Sequence, residues 1–149
     1  MLAKASGDYE PLIRFLGWSG LRFGEAAALR AERVDSRRRR VRVEESVTEV
    51  GGRLVFGPPK THESRTVIIP RFVMTPMAPM LEGKKPEDLV FTALKGGPLR
   101  LNAFRKRIFA PASTAIGKPD LVPHDLRDTA ASLAISSGAS IKAVQRMLG

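Results

Sequence analysis

Leu121-Val122-Pro123-His124-Asp125-Leu126-Arg127 reads as the start of a helix. Pro123 suits a first helical turn, where its missing N–H leaves no bond unmade. With a helix starting there, His124 and Arg127 project from one face, a turn apart. One is a proton-handling imidazole; the other is a permanent cation shaped to grip two phosphate oxygens. A phosphate lying over that face meets both.

Downstream, Leu126, Ala130, Leu133 and Ala134 recur at helical spacing, Gly138 stops the helix, and Ser140 caps a last one with Ile141, Val144 and Leu148 on one face. Upstream, Asn102 is expected to cap a helix to about Phe109 that carries Arg105, Lys106 and Arg107 on its polar side; Pro111 breaks or kinks it, and helix resumes to Ile116. At the other end of the chain, Asp8 is expected to cap a helix over Tyr9–Gly17, with Pro11 in its first turn and Leu12, Ile13, Phe15 and Leu16 facing the core. Ser19-Gly20 ends that pattern, and Leu21–Arg30 reads as a second helix. Gly24 inside it predicts close approach of another backbone. Arg22 and Glu25 are three apart and can pair, either as a surface ion pair worth well under about 1 kcal/mol or as a carboxylate that holds the guanidinium ready for a phosphate.

The middle of the chain is strand-like. Val41, Val43 and Val47 alternate with Arg40, Arg42 and Glu44; Gly51-Gly52 makes a tight hairpin turn; Leu54-Val55-Phe56 continues as a second strand. Lys60 sits in the turn that leads to a third strand, Arg65 to Ile69. Phe72 to Leu81 reads as a helix broken by Pro76 and Pro79. The expected fold is one α+β domain over residues 1–149, mostly helical, with a small three-stranded antiparallel sheet.

Bulk properties narrow the function. With 43% hydrophobic residues the chain is of globular composition. No cysteine and only two histidines, His62 and His124, leave no expected metal site. No apolar run approaches the roughly 20 residues that span a bilayer, and no signal segment opens the chain, so a cytoplasmic protein without membrane contact is expected. The net charge of +10 favours a polyanionic partner, with nucleic acid the default. The Arg37–Arg40 run by itself reads as a solvated turn.

Two guanidiniums, Arg22 and Arg127, an amine, Lys60, and an imidazole, His124, form a set suited to phosphoryl transfer without a metal. Here the sequence resembles the catalytic domain of tyrosine recombinases, the phage integrase family. Ser19-Gly20-Leu21-Arg22-Phe23-Gly24-Glu25 is similar to the family's first-arginine motif, and Pro59-Lys60-Thr61 with Ser64-Arg65-Thr66-Val67-Ile68-Ile69-Pro70 to its lysine hairpin. His124-Asp125-Leu126-Arg127-Asp128-Thr129-Ala130 is similar to its His-x-x-Arg motif, and Ser137-Gly138 through Met147-Leu148-Gly149 to the helix that follows. The order of the four motifs matches the family's.

The resemblance implies a tyrosine-recombinase-like fold and strand exchange at specific sites on double-stranded DNA through a 3′-phosphotyrosyl link, with no cofactor. Arg22 and Arg127 would clamp the phosphate, Lys60 would protonate the 5′-oxygen, His124 would orient or deprotonate the nucleophile, and Glu25 would support Arg22. Arg65, Arg105, Lys106 and Arg107 are expected on the DNA. The family pattern continues past Leu-Gly to a histidine or tryptophan and then the nucleophilic tyrosine, whereas the only tyrosine here, Tyr9, precedes the first arginine. The expectation is therefore a catalytic-domain fragment, monomeric and inactive alone, of a protein whose full-length relatives act as tetramers on DNA. The competing reading is a non-enzymatic DNA-binding module of helix-turn-helix type, with its turn at Gly138 and its reading helix from Ser140. It accounts for the charge but gives no role to Arg22, Lys60 or the His124/Arg127 pair.

Overall fold

Helices occupy both ends of the chain and strands its middle, in a computed structural model that describes residues 1–149. A single turn, α1 (Leu2–Ala5), precedes α2 (Glu10–Ser19). Pro11 lies in the first turn of α2, and Leu12, Ile13, Phe15 and Leu16 are buried, as their spacing predicts. Asp8 does not cap the helix; it lies in a short 3₁₀ turn, and Tyr9 takes the cap position. Gly20 ends α2 in the left-handed conformation, which favours glycine.

α3 (Phe23–Ala27) is shorter than its alanines suggest. Tertiary pairing ends it: Val90 N donates to the Leu29 carbonyl at 2.8 Å, and Arg30 bridges to Leu89. The Arg30 guanidinium then pairs with Glu45 at 2.9 Å and lies over the Phe56 ring. Helix propensity of a few tenths of a kcal/mol per residue is too small to resist this. Gly24 is the expected close approach, since a Cβ there would lie 2.6 Å from the Val47 carbonyl oxygen.

The antiparallel sheet has three strands, but not the three the alternation suggests. β1 (Val34–Asp35), β2 (Arg40–Val43) and β5 (Arg65–Ile68) form it in the order β1-β2-β5, with Val41 opposite Val67. β3 (Ser46–Val50) and β4 (Arg53–Gly57) form a separate hairpin, turned by Gly51 and Gly52, both at positive φ. The Val41–Val47 run is broken at Glu44-Glu45, whose carboxylates are drawn off to Arg33, Arg42 and Arg30.

α4 (Arg71–Met74) and α5 (Ala78–Leu81) are the expected broken helix, with Pro76 and Pro79 each starting a new short turn. α6 (Leu101–Phe104) begins one residue before Asn102, with Arg100 at the cap. It runs through a π-helical turn, Arg105–Phe109, into α7 (Ala110–Ala115). Pro111 has no N–H for a regular α-bond to the Arg107 carbonyl. The i→i+5 spacing of a π-turn brings Phe104 and Phe109 onto one side, where both are buried with ring centroids 6.3 Å apart. Arg105, Lys106 and Arg107 are left together in solvent.

α8 (Asp125–Ser136) packs across α2, and Gly138 turns the chain into α9 (Ile141–Leu148). Ser140 caps α9 through its Oγ, which accepts from Ala143 N at 3.1 Å. A core cluster of 22 buried residues links α2, α3, β2, β5 and the π-turn rod; α8 and α9 lie outside it and bury only Ala130 and Val144. No helix is long and apolar enough to cross a membrane.

Candidate phosphate-binding site

The site lies where the α8–α9 layer meets the core. Gly20 makes the contact close: a Cβ there would lie 2.8 Å from Leu148 Cδ2 and 3.7 Å from Ala130 Cβ. Two residues on, Arg22 occupies the cap position of α3. The Glu25 carboxylate reaches back and accepts from the Arg22 backbone N–H at 2.9 Å, the acidic half of a capping box. Arg22 Nη1 lies 3.5 Å from Glu25 Oε1, so its guanidinium is loosely held and 27% exposed.

Glu25 is fully buried, and its main partner is Arg65 on β5. Arg65 Nη1 and Nη2 donate to the two carboxylate oxygens at 3.0 and 2.8 Å, a bidentate fork. Burial pushes the Glu25 carboxyl up, but the Arg65 hydrogen bonds, the Arg22 N–H and the two guanidinium charges outweigh it and hold the carboxyl below the usual carboxylate range.

Arg127 enters from α8. It stands one turn after His124, and its N–H donates to the His124 carbonyl at 3.0 Å. Its Nη1 reaches the Gly20 carbonyl at 3.4 Å. Burial and the Arg22 charge pull the Arg127 guanidinium below the usual arginine range, with a smaller push the same way from Arg65. Arg22 and Arg65 thus share one buried carboxylate, with the Arg127 guanidinium near enough to feel all three charges, and the excess positive charge suits an oxyanion held between Arg22 and Arg127.

The other expected residues stand differently. Lys60 is exposed in the turn between β4 and β5, closed by His62 N donating to the Pro59 carbonyl at 2.7 Å. His124 is also exposed, just ahead of α8. Arg105, Lys106 and Arg107 are on the π-turn. Arg65, expected on the DNA, instead faces inward with a side chain only 9% exposed. Its position was legible: Arg65 shares strand parity with Val67 and Ile69, both buried, while Thr66 and Ile68 point out. A polar cleft of about 610 Å³ opens beside Arg65, between the Lys60 turn and α9; Lys142 and Arg146 on its wall were not anticipated from the sequence. No three His, Asp or Glu side chains cluster at metal-binding distance.

Comparison with known proteins gives the family and the fold. The model of the phage integrase family matches residues 4–149. The chain is 33% identical to the integrase of Mycobacterium phage D29, over 95% of this chain and 40% of that protein. It is 30% identical to the tyrosine recombinase XerC of Corynebacterium efficiens, over 93% of this chain and 41% of that one. It thus spans well under half the length of the curated relatives it matches. Among solved structures, a Tn1549 transposon integrase in complex with a circular intermediate DNA superposes with a TM-score of 0.85 at 19% identity, covering 99% of this chain and 54% of that one. The XerA recombinase superposes with a TM-score of 0.78 at 22% identity, covering 99% and 52%. With the motifs in order and a family match over nearly every residue, the chain belongs to the phage integrase family.

Proposed function

We propose that this chain supplies the phosphate-gripping part of a site-specific DNA recombinase. The observation that carries this is the under-compensated cluster of Arg22, Arg65 and Arg127 around the single buried carboxylate of Glu25. Arg22 and Arg127 hold the non-bridging oxygens of a scissile phosphate, where their charge stabilises the pentavalent transition state. Lys60 donates the proton to the leaving 5′-oxygen, and His124 orients or deprotonates the attacking hydroxyl. Arg105, Lys106 and Arg107 follow the DNA backbone, positioning the duplex without reading its sequence.

The nucleophile is a tyrosine outside these 149 residues. Tyr9 packs edge-on against Phe104, with ring centroids 5.6 Å apart, on the side of the core that faces the π-turn. Residues 1–149 therefore form a catalytic-domain fragment that binds double-stranded DNA as a monomer and does not cleave it alone. A complete protein carrying this segment acts as a tetramer on two duplexes. The helix-turn-helix alternative leaves the Glu25-organised arginines without a role.

The test uses a polypeptide that joins these residues to their tyrosine-bearing segment. Incubated with a nicked suicide duplex, it is expected to form a covalent protein–DNA adduct that Arg22→Ala or Arg127→Ala abolishes. An adduct that survives both substitutions would overturn the assignment.

A further inference from the structure

Arg65 does more than neutralise Glu25. While Nη1 and Nη2 fork the carboxylate, its Nε donates to the Met147 carbonyl at 2.8 Å. That carbonyl is in the last turn of α9, where helix geometry leaves C=O groups unpaired and the helix dipole is negative. One side chain on β5 therefore holds both α3 and the end of α9. The backbone after α9 folds against it: a Cβ on Gly149 would lie 2.9 Å from Arg65 Nη1 and 3.1 Å from Cζ, and Gly149 has φ +82. Leu148 and Met147 in turn press on Gly20, two residues from Arg22.

We propose that Arg65 is a positioning residue: it sets Arg22 through Glu25, and it ties that setting to whether the last turn of α9 is seated. The planar fork matters, because three different nitrogens meet the three acceptors, a spread that the single nitrogen of a lysine does not span. The functional consequence rests on the reading of Arg22 as a phosphate ligand; the link itself does not. The charged groups facing Glu25 are Arg22 beside its own helix, Arg65 from β5 and Arg127 from α8, and the cavity at Glu25 is bounded by Arg33, Arg42, Glu44 and Glu45.

The test uses a polypeptide that joins residues 1–149 to the segment that follows them. Carboxyl-carbon NMR follows the Glu25 titration, and hydrogen exchange follows the Arg22 and Glu25 amides, in wild type, Arg65→Lys, Arg65→Met and Gly149→Ala. In Arg65→Met the Glu25 carboxyl moves above the ordinary glutamate range; Arg65→Lys restores part of that shift. Gly149→Ala touches neither Arg22 nor Glu25, yet it speeds exchange at both amides about tenfold, within the usual range of coupling between sites. Unchanged exchange in Gly149→Ala, or an unmoved Glu25 titration in both Arg65 variants, would overturn the link. If Arg65→Met does not fold, Arg65→Lys and Gly149→Ala decide. Duplex binding adds a second discriminator. Both Arg65 variants weaken it about tenfold with an unchanged salt slope, since no phosphate contact is lost; a slope reduced by about one would make Arg65 a DNA ligand and sink the proposal. Failure of the phosphate reading shows separately, as a wild-type chain that does not bind duplex while Glu25 still answers to Arg65.

Discussion

The two halves of the proposed site are built in opposite ways. Arg22 and Arg65 stand on α3 and β5, beside Leu21, Ala26 and Val67, which are at most 2% exposed, and Glu25 and Arg65 satisfy each other out of water. Lys60 and His124 stand on exposed turns. The difference fits the roles proposed for each half. Charge stabilisation is worth most when the donors are fixed before the anion arrives, because no reorganisation then accompanies binding. Proton transfer needs contact only in the assembled complex, and its hydrogen bonds are often loose until then. On the roles proposed above, Arg65 and Glu25 are held by the fold around Arg22, and Lys60 and His124 would meet the DNA from exposed turns.

The largest effect tests the fixed half. Glu25→Ala leaves the buried Arg65 guanidinium unpaired, and the expected loss in unfolding free energy is about 3–5 kcal/mol by urea denaturation. A loss under about 1 kcal/mol would erase the contrast between the halves, being the scale of an exposed pair. The same carboxylate sets a pH dependence. Its folded-state titration lies below the ordinary glutamate value of about 4.3, so its stabilisation is complete above that pH and is lost as the pH falls through the lower folded value. Wild type and Glu25→Gln are thus expected to differ most near neutrality and to converge in acid; a gap that widens below about pH 4 would contradict the assignment.

A smaller effect comes from the backbone contact that places α3. Gly24→Ala sets a methyl 2.6 Å from the Val47 carbonyl oxygen and 2.8 Å from Ser46 Oγ. The expected cost is about 1–3 kcal/mol in the same assay, with weaker DNA binding as α3 shifts. Arg127→Ala sharpens the comparison in the other direction. It removes a cation that Arg22 and Arg65 repel, so stability should hold within about 1 kcal/mol while the salt slope of duplex binding falls by about one. The smallest effect is expected from Lys60→Ala, with stability within about 0.5 kcal/mol of wild type. Amide exchange at His62 in that turn should slow only when wild type binds duplex; equal protection without DNA would place Lys60 in the fixed half.

Much of the fold was legible because its punctuation is local. Pro123, expected in the first turn of α8, lies ahead of its cap residue His124, but Gly138 and Ser140 bound the last two helices through effects that reach no more than four residues. Gly51-Gly52 turned its hairpin for the same reason. The four motifs were legible too, since each is a short run of residue types. Sheet membership was not: Val41, Val43 and Val47 share one parity across the break at Glu44-Glu45, and period-two patterning carries no mark of where a strand leaves one sheet for another. The π-turn was also hidden, because Pro111 announces a defect in a helix without saying how the defect is absorbed.

By itself, the sequence determined which residues carry charge and protons, where α8 gives way to α9 at Gly138 and Ser140, and the net charge of +10. Only the tertiary structure decided what the cations do. Arg22 and Arg127 lie 105 residues apart, and Glu25 and Arg65 lie 40 apart. Whether a guanidinium turns out to solvent or in to a carboxylate depends on strand register and on the glycines, Gly20 and Gly24, that let backbones meet. Those are properties of packed surfaces: propensity and turn chemistry act over one turn, while the pairing of a buried charge is settled by whichever partner the fold brings within hydrogen-bond reach.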